Sequence, residues 1–324
     1  MKDLIFQQGA ETDSPISIFI MGPTATGKTD LALALSDELA VDIISVDSAQ
    51  VYRGMDIGTA KPDTETLGRA PHHLIDIIDP HEVYSAGQFR DDALSLMQQC
   101  VIRERIPLLV GGTMLYFNTL QKGIARMPDV ADSVRQAIEL EAKTKGVPAM
   151  HERLKSVDPV SAERIHPNDP QRIKRALELY DSTGKTLTEF WLDQDLNQAG
   201  GRFPYRRIKI ALMPADRTKL RERIQLRFDT MLQQGFIEEV ESLYNRGDLH
   251  AEMPSIRAVG YRQVWAYLAG EYGYDEMREK AIIATAQLAK RQMTWLRKEM
   301  ECNFIEPKLL NTQKIVKNLK YLLS

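Results

Sequence analysis

The sequence predicts an α/β protein: a parallel sheet flanked by helices and interrupted by an all-helical insertion. Three observations predict it. Short β-branched runs alternate with helix-like segments over residues 1–126. Strand signals vanish over 127–203, and one more returns at 207–213 ahead of a helical remainder. Alternation of this kind argues for parallel strands covered on both faces.

The elements follow in order. Residues 16–21 (ISIFIM) are an apolar strand. Directly after it come Gly22, Pro23, Thr24, Ala25, Thr26, Gly27, Lys28 and Thr29, with helix-like 30–39 behind them. This is the G-x-x-x-x-G-K-[ST] spacing in its proper strand–helix context. Backbone N–H groups in such a bend can curl round a di- or triphosphate, and the helix N-terminus adds positive potential. Lys28 contributes a mobile point charge and the Thr29 hydroxyl a ligand for Mg²⁺. The sheet is therefore expected to be P-loop NTPase-like. Residues 42–47 form a second strand, expected beside the first and ending in Asp47. A third is expected at 73–79, stopped by Pro80, and a helix at 86–104. A fourth strand, 106–110, ends in Gly111, Gly112 and Thr113. Ligands in open α/β sheets sit beyond strand C-termini, where the P-loop, Asp47 and Thr113 all fall.

The insertion, 127–203, is helical. Asp169 can cap a helix whose first position suits Pro170. Its apolar stripe is Ile173, Ala176, Leu177 and Tyr180, Arg172 and Arg175 lie on another face, and Gly184 ends it. A soft segment, 197–201, closes the insertion. Residues 204–324 then complete the core with the 207–213 strand and helices at 216–234, 235–246, 260–270 and 275–299. In the last helix Ala289, Met293 and Leu296 make an inner stripe, while Lys290, Thr294 and Arg297 share a different face.

Composition narrows the function classes. The chain has 324 residues, 43% hydrophobic and 27% charged, with net charge −3. That is ordinary globular composition, so any nucleic-acid surface must come from local clustering. Such clusters exist. Nine basic residues lie between Arg202 and Arg227, and further sets are Arg172, Lys174 and Arg175, and Lys290, Arg291, Arg297 and Lys298. Arg257 and Arg262 flank Ala258–Tyr261. Solvated helix faces explain any single run; several runs beside a P-loop point to RNA. Cys100 and Cys302 lack zinc spacing, so a reduced, cytoplasmic chain is expected. No signal-peptide core precedes the first strand, and no window approaches about 18 apolar residues, so no membrane partner is expected. His72, His73, His81 and His151 lack ligand spacing, and Trp191, Trp265 and Trp295 read as packing residues. No long apolar face calls for a second copy, and a monomer is expected.

Two readings of Asp47 stand side by side. It can be a general base acting near the bound phosphate, or it can be a helix N-cap or hold Mg²⁺ through water. The P-loop alone also fits a small-molecule kinase, which would need an acid such as Asp76 or Asp79 for its metal. The basic clusters alone fit a non-catalytic RNA-binding protein.

Taken together, seven segments carry a resemblance. They are 22–29 (GPTATGKT), 45–50 (SVDSAQ), 52–62 (YRGMDIGTAKP), 111–116 (GGTMLY), 166–172 (HPNDPQR), 259–263 (VGYRQ) and 290–297 (KRQMTWLR). In this order they resemble the bacterial tRNA dimethylallyltransferase family. The resemblance implies transfer of a dimethylallyl group from dimethylallyl diphosphate to N6 of the adenosine 3′-adjacent to the anticodon, in tRNAs reading U-initial codons. Diphosphate leaves, and Mg²⁺ is the implied cofactor. It further implies that residues 22–29 hold the diphosphate, with Lys28 and Arg227 on its charge and Thr113 on the oxygen bridging carbon and phosphorus. Asp47 would accept the proton of the amino group. The tRNA-binding residues it implies are Asp47, Ser48, Ala49 and Gln50; Thr113; Arg135; Gln171, Arg172, Ile173, Lys174 and Arg175; Arg257, Gly260, Tyr261 and Arg262; and Lys290, Arg291, Gln292, Thr294, Trp295 and Arg297. The helical insertion would clamp the anticodon stem-loop.

Overall fold

The structure, a computed structural model, describes residues 14–124, 127–197 and 203–323. Arg202 and residues 198–201 of the soft segment lie outside the described residues, as does most of the stretch before the first strand. The chain divides into two compact units, a core of 1–120 with 204–324 and a second unit spanning 121–203.

The core unit begins with β1 (Ile16–Met21), α1 (Lys28–Ser36), β2 (Val41–Val46), α2 (Thr64–Arg69), β3 (His72–His73), α3 (Ala86–Ile102), β4 (Ile106–Gly111) and α4 (Met114–Lys122). The second unit holds α5 (Asp132–Val157), α6 (Pro159–Arg164), α7 (Pro170–Thr183) and α8 (Leu187–Asn197). The core resumes with β5 (Arg206–Leu212), α9 (Arg217–Gln233), α10 (Phe236–Tyr244), α11 (Tyr261–Leu268), α12 (Tyr274–Leu296), β6 (Cys302–Ile305) and α13 (Thr312–Leu323).

The six strands form one sheet in the order β3-β2-β4-β1-β5-β6, every pair parallel. Ile18, Phe19, Ile20 and Met21 are fully buried, as expected of a central strand covered on both faces. On one face α1 and α13 supply Leu31, Leu35, Ile315 and Leu319 to a core with Ile18, Ile20 and Ile210. On the other, Phe19 meets Phe117 at 5.3 Å between ring centroids, and Phe89 stacks on Tyr116 at 4.4 Å. The helices α9 to α12 build a further apolar cluster around Phe236, Tyr261, Trp265 and Met277, into which Val51, Tyr52 and Met55 insert.

Three expectations change. The strand expected at 73–79 pairs with β2 only at His72 and His73. Leu74 and Asp76 adopt positive φ (62° and 56°), which turns the chain out of the sheet. Residues 76–78 instead donate backbone hydrogen bonds to Gln50 and Val51. Second, β2 does not lie beside β1. β4 runs between them, with Gly111 opposite both Met21 and Val46. A Cβ at Gly111 would stand 2.0 Å from the Val46 carbonyl oxygen, so glycine is what lets three strand ends meet. Third, β6 adds an edge strand that the pattern after 299 did not announce: four residues are too few for a period-2 signal.

Among its described residues the second unit has helices alone as regular elements, packed around Ile138, Met150, Leu154, Ile173, Ala176, Leu177 and Leu179. Its α5 kinks at Gly146 (φ 80°), just before Pro148, which cannot continue a helical hydrogen-bond ladder. Local rules explain α7 well. The Asp169 carboxylate accepts the Arg172 N–H, Pro170 stands at the first position, and Gly184 closes the helix in the left-handed conformation (φ 71°).

Candidate active site

The P-loop lies at the C-terminal end of β1. From β1 the chain passes to β2 on one side of the sheet, while β5 pairs on the other, so the loop opens at a topological switch point. Ala25 and Gly27 take positive φ (62° and 85°), bending the chain into α1. The Thr26 hydroxyl and the Lys28 ammonium each donate to the Pro23 carbonyl at 2.8 Å. Thr29 is exposed in the first turn of α1.

Lys28, Arg227 and Asp47 converge at this loop. Burial lowers the Lys28 ammonium to about 8; Asp47 opposes that shift and Arg227 adds to it. Burial also pulls the Arg227 guanidinium down, and Asp47 again opposes. Two half-buried cations therefore act on one half-buried carboxylate, an arrangement suited to a bound dianion. Arg227 comes from α9, which Asp216 starts by accepting the N–H groups of Thr218 and Lys219.

Asp47 follows β2 in a tight turn. Its Oδ1 accepts the N–H of Ala49 at 2.8 Å and of Gln50 at 3.4 Å. One oxygen thus closes a turn, and Asp47 caps no helix, since α2 starts only at Thr64; the other oxygen accepts no hydrogen bond among the described residues. Thr113 braces the same turn. Its Oγ1 accepts the Ser48 N–H at 3.1 Å, and its own N–H donates to the Val46 carbonyl at 3.2 Å. Ser48 is exposed, whereas Ala49 and Gln50 are half-buried. The Ser45 hydroxyl donates to Gln50 Oε1 at 2.9 Å, and Gln50 Nε2 donates to the carbonyls of Thr59 and Ala60.

Gln292 is set apart from its neighbours on α12. Its Oε1 accepts the Thr24 N–H at 3.1 Å and its Nε2 donates to the Gly112 carbonyl at 3.0 Å. It staples the P-loop to the end of β4, and it takes one loop amide away from any phosphate. Lys290, Arg291, Thr294 and Arg297 are exposed on the same helix, and Trp295 is 40% exposed. Trp295 is therefore a surface ring, contrary to the packing expected of it. Arg257 and Arg262 are also exposed, but Gly260 and Tyr261 between them are buried. The Tyr261 hydroxyl donates to Glu239, so its side chain faces the core and not an RNA surface. In the second unit Ile173 is fully buried, because it belongs to the stripe that closes that unit's own core. Gln171, Arg172 and Arg135 are exposed there, and Lys174 and Arg175 are half-buried.

The acids that a kinase would need are already engaged. Arg246 grips Asp79 at 2.7 and 3.2 Å and holds its carboxyl well below the usual carboxylate range. Asp76 pairs with the buried Lys61. His81 and Asp248 complete a cluster around Asp79 with metal-ligand spacing, but Arg246 neutralises both acids. Cys100 and Cys302 are free thiols, each pushed up to about 12 by burial.

Sequence reasoning missed Glu239 and Lys61. Glu239 reads as an ordinary acid in the first turn of a helix, and Lys61 as a loop cation. Only their partners, 183 and 15 residues away, mark them out.

Fold and site together define a P-loop-like α/β protein whose glycine-rich bend stands at the strand ends near a carboxylate-bearing turn. The comparisons narrow that class. A family model described as IPP transferase matches residues 50–299, and one described as isopentenyl transferase matches 16–79. The chain is 57% identical over 307 residues to a tRNA dimethylallyltransferase of Thioalkalivibrio sulfidiphilus, covering 95% of both chains. It is also 57% identical over 300 residues to a tRNA dimethylallyltransferase 2 of Hahella chejuensis, covering 90% of each. Among solved structures it resembles a tRNA isopentenylpyrophosphate transferase of Bacillus halodurans (TM-score 0.68, 35% identity, 95% of each chain). A eukaryotic dimethylallyltransferase acting on tRNA shares the fold at TM-score 0.76 and 24% identity, over 96% of this chain and 78% of that one. The chain belongs to the IPP transferase family.

Proposed function

We infer that the protein is an enzyme that modifies tRNA. It transfers a dimethylallyl group from dimethylallyl diphosphate to N6 of the adenosine 3′-adjacent to the anticodon in tRNAs reading U-initial codons, and releases diphosphate. The observation that carries this reading is the convergence of Lys28, Arg227 and Asp47 at the P-loop, in a chain of this family.

The chemistry assigns the roles. Negative charge builds on the diphosphate as the allylic carbon–oxygen bond breaks. Lys28, Arg227 and the amides of residues 22–29 would stabilise it. Thr113, at the end of β4, would meet the bridging oxygen. Mg²⁺, when bound, would neutralise further charge on the diphosphate. The exposed Thr29 hydroxyl fits a metal that takes few protein ligands and several from substrate phosphate. An adenine amino group is a weak nucleophile, its lone pair being delocalised into the ring. Asp47 would take its proton as the new bond forms, using the oxygen that the turn leaves without a partner. Residues 48–50 would border the base, which must leave the anticodon stack at a cost of a few kcal/mol. Exposed cations at Arg257, Arg262, Lys290, Arg291 and Arg297 would meet tRNA phosphates. The helical unit would clamp the anticodon stem-loop through Arg135 and the exposed face of α7.

The enzyme would act as a monomer in the cytoplasm; among the described residues no helix is long and apolar enough to cross a membrane. Incubation with Mg²⁺, labelled dimethylallyl diphosphate and unmodified tRNA tests the whole reading. Label should appear on the adenosine beside the anticodon, and its absence from RNA would rule the reading out.

A further inference from the structure

Glu239 stands in the first turn of α10 and makes more hydrogen bonds than any surface role requires. Its Oε2 accepts the backbone N–H groups of Asp56 at 2.9 Å and Ile57 at 2.7 Å, and its Oε1 accepts that of Gly58 at 3.1 Å. The Tyr261 hydroxyl is a fourth donor. Burial and the nearby carboxylate push that hydroxyl far above its ordinary range, so it stays protonated and donates. Three consecutive amides converging on an anion form a nest, the arrangement that elsewhere grips a phosphate. Here the protein fills the nest with its own carboxylate.

The neighbours of the nest share this geometry. A Cβ at Gly58 would lie 2.1 Å from a ring carbon of Phe236 and 2.5 Å from one of Tyr261. Only glycine allows the two rings to close on the loop from which Glu239 is served. On its inner side the loop presents the Thr59 and Ala60 carbonyls to Gln50 Nε2. Gln50 in turn lies in the turn made by Asp47 Oδ1. One chain of hydrogen bonds therefore runs from α10 through residues 56–60 and Gln50 to the carboxylate that faces Lys28 and Arg227.

We propose that Glu239 is a positioning residue for transfer. It fixes the 56–60 loop, the loop fixes Gln50, and Gln50 holds the turn that presents Asp47. This rests on the reading of Asp47 as the proton acceptor. Glu239 touches no substrate in this scheme; it acts on the angle at which the carboxylate meets the amino group.

Glu239→Gln keeps the size of the side chain but turns an NH₂ towards amide donors. In the full-length enzyme we expect kcat for label transfer to fall about tenfold or more, the scale on which small misplacements near a reacting centre act. The affinity for inorganic diphosphate, read by calorimetry, should stay within about twofold, because the P-loop is untouched. Gln50→Ala should lower kcat as well, and the double variant should be no worse than the poorer single variant, since both break one chain. Amides at 49–50 should exchange hydrogen faster in Glu239→Gln. Unchanged kcat, an equal loss of diphosphate affinity, multiplied losses in the double variant, or unchanged exchange at 49–50 would each overturn the proposal. If Glu239→Gln does not fold, Tyr261→Phe removes one donor while keeping the ring; its smaller loss of kcat should vanish in the Gln50→Ala background, and persistence there would overturn the proposal equally. Hydrogen exchange reads the clasp without turnover. A wild-type chain that transfers no label would therefore strike the proposed function and leave the clasp separately tested.

Discussion

The cations expected at tRNA are kept in different company in the helical unit and in the core. In the helical unit Arg135 pairs with Asp132 at 3.2 Å, Arg172 with Asp169 at 3.4 Å, Lys174 with Glu139 at 2.6 Å and Arg175 with Glu178 at 3.8 Å. In the core, Arg257, Arg262, Lys290, Arg291 and Arg297 make no ion pair among the described residues. A cation already beside a carboxylate exchanges one anion for another when a phosphate arrives, so little is gained. An unpaired cation neutralises phosphate outright and releases condensed counterions. Basic residues equally visible in a sequence should therefore contribute unequally to RNA affinity. The core cations should attract, and those of the helical unit should orient.

The largest effect is expected where charge does chemistry and not attraction. Asp47→Ala should lower turnover by about 10²–10⁴, the usual contribution of a general base, while tRNA affinity and its salt dependence survive. Loss of tRNA binding in a filter or shift assay would instead make Asp47 an anchor for the base.

Next come the surface cations. Arg297→Ala should weaken tRNA binding and reduce the slope of log affinity against log salt by about one. Lys174→Ala should leave that slope nearly unchanged, because Glu139 already neutralises the side chain. Equal slopes for the two variants, measured over the same salt range, would break the comparison.

A smaller effect is expected at Gln292, which lies on the cationic helix yet faces the P-loop. Gln292→Leu removes two hydrogen bonds of about 1 kcal/mol each. Diphosphate affinity should fall several-fold with the tRNA salt slope unchanged. A changed slope with intact diphosphate binding would return Gln292 to the RNA surface.

The smallest signal is a proton. Lys28 carries a folded-state value of about 8 against 10.5 for the free side chain. The folded protein thus loses this proton earlier than the unfolded chain, and stability rises with pH between those two values. A bound diphosphate favours the charged ammonium and raises its pKa. Near pH 8, binding should therefore take up roughly half a proton through this side chain, seen as a difference in heat between buffers of unlike ionisation enthalpy. Lys28→Arg should remove that component, since guanidinium does not titrate there. Uptake unchanged in Lys28→Arg would assign the proton to another group.

Much of the fold was legible because its signals are local. The P-loop spacing, the Asp169 cap, Pro170 and Gly184 each follow from the backbone preferences of a few adjacent residues, and all stand where those preferences put them. Less of the site was legible. Tyr261 lies among cationic neighbours in the chain, and its burial depends on partners that adjacent residues do not reveal; the burial of Ile173 was legible in the α7 stripe, and only the family motif carried it to the tRNA surface. The expected strand at 73–79 failed for a related reason. Its apolar residues suit a strand, but backbone pairing with residues 50–53 claims 76–78 once Leu74 has turned the chain.

From the sequence came most of the alternation of strands and helices, though not α2, β6 or α13, together with the P-loop spacing and the family, since each rests on short-range geometry or on motifs read in series. Tertiary structure alone decided that β4 separates β1 from β2, that two glycines at its end let the Asp47 turn approach the P-loop, and that Gln292 and Glu239 serve loops 180 and more residues away. The physical reason is that hydrogen bonds and ion pairs closed across such distances depend on where the sheet and its covering helices bring the chain back. No propensity or periodicity within a window encodes that return.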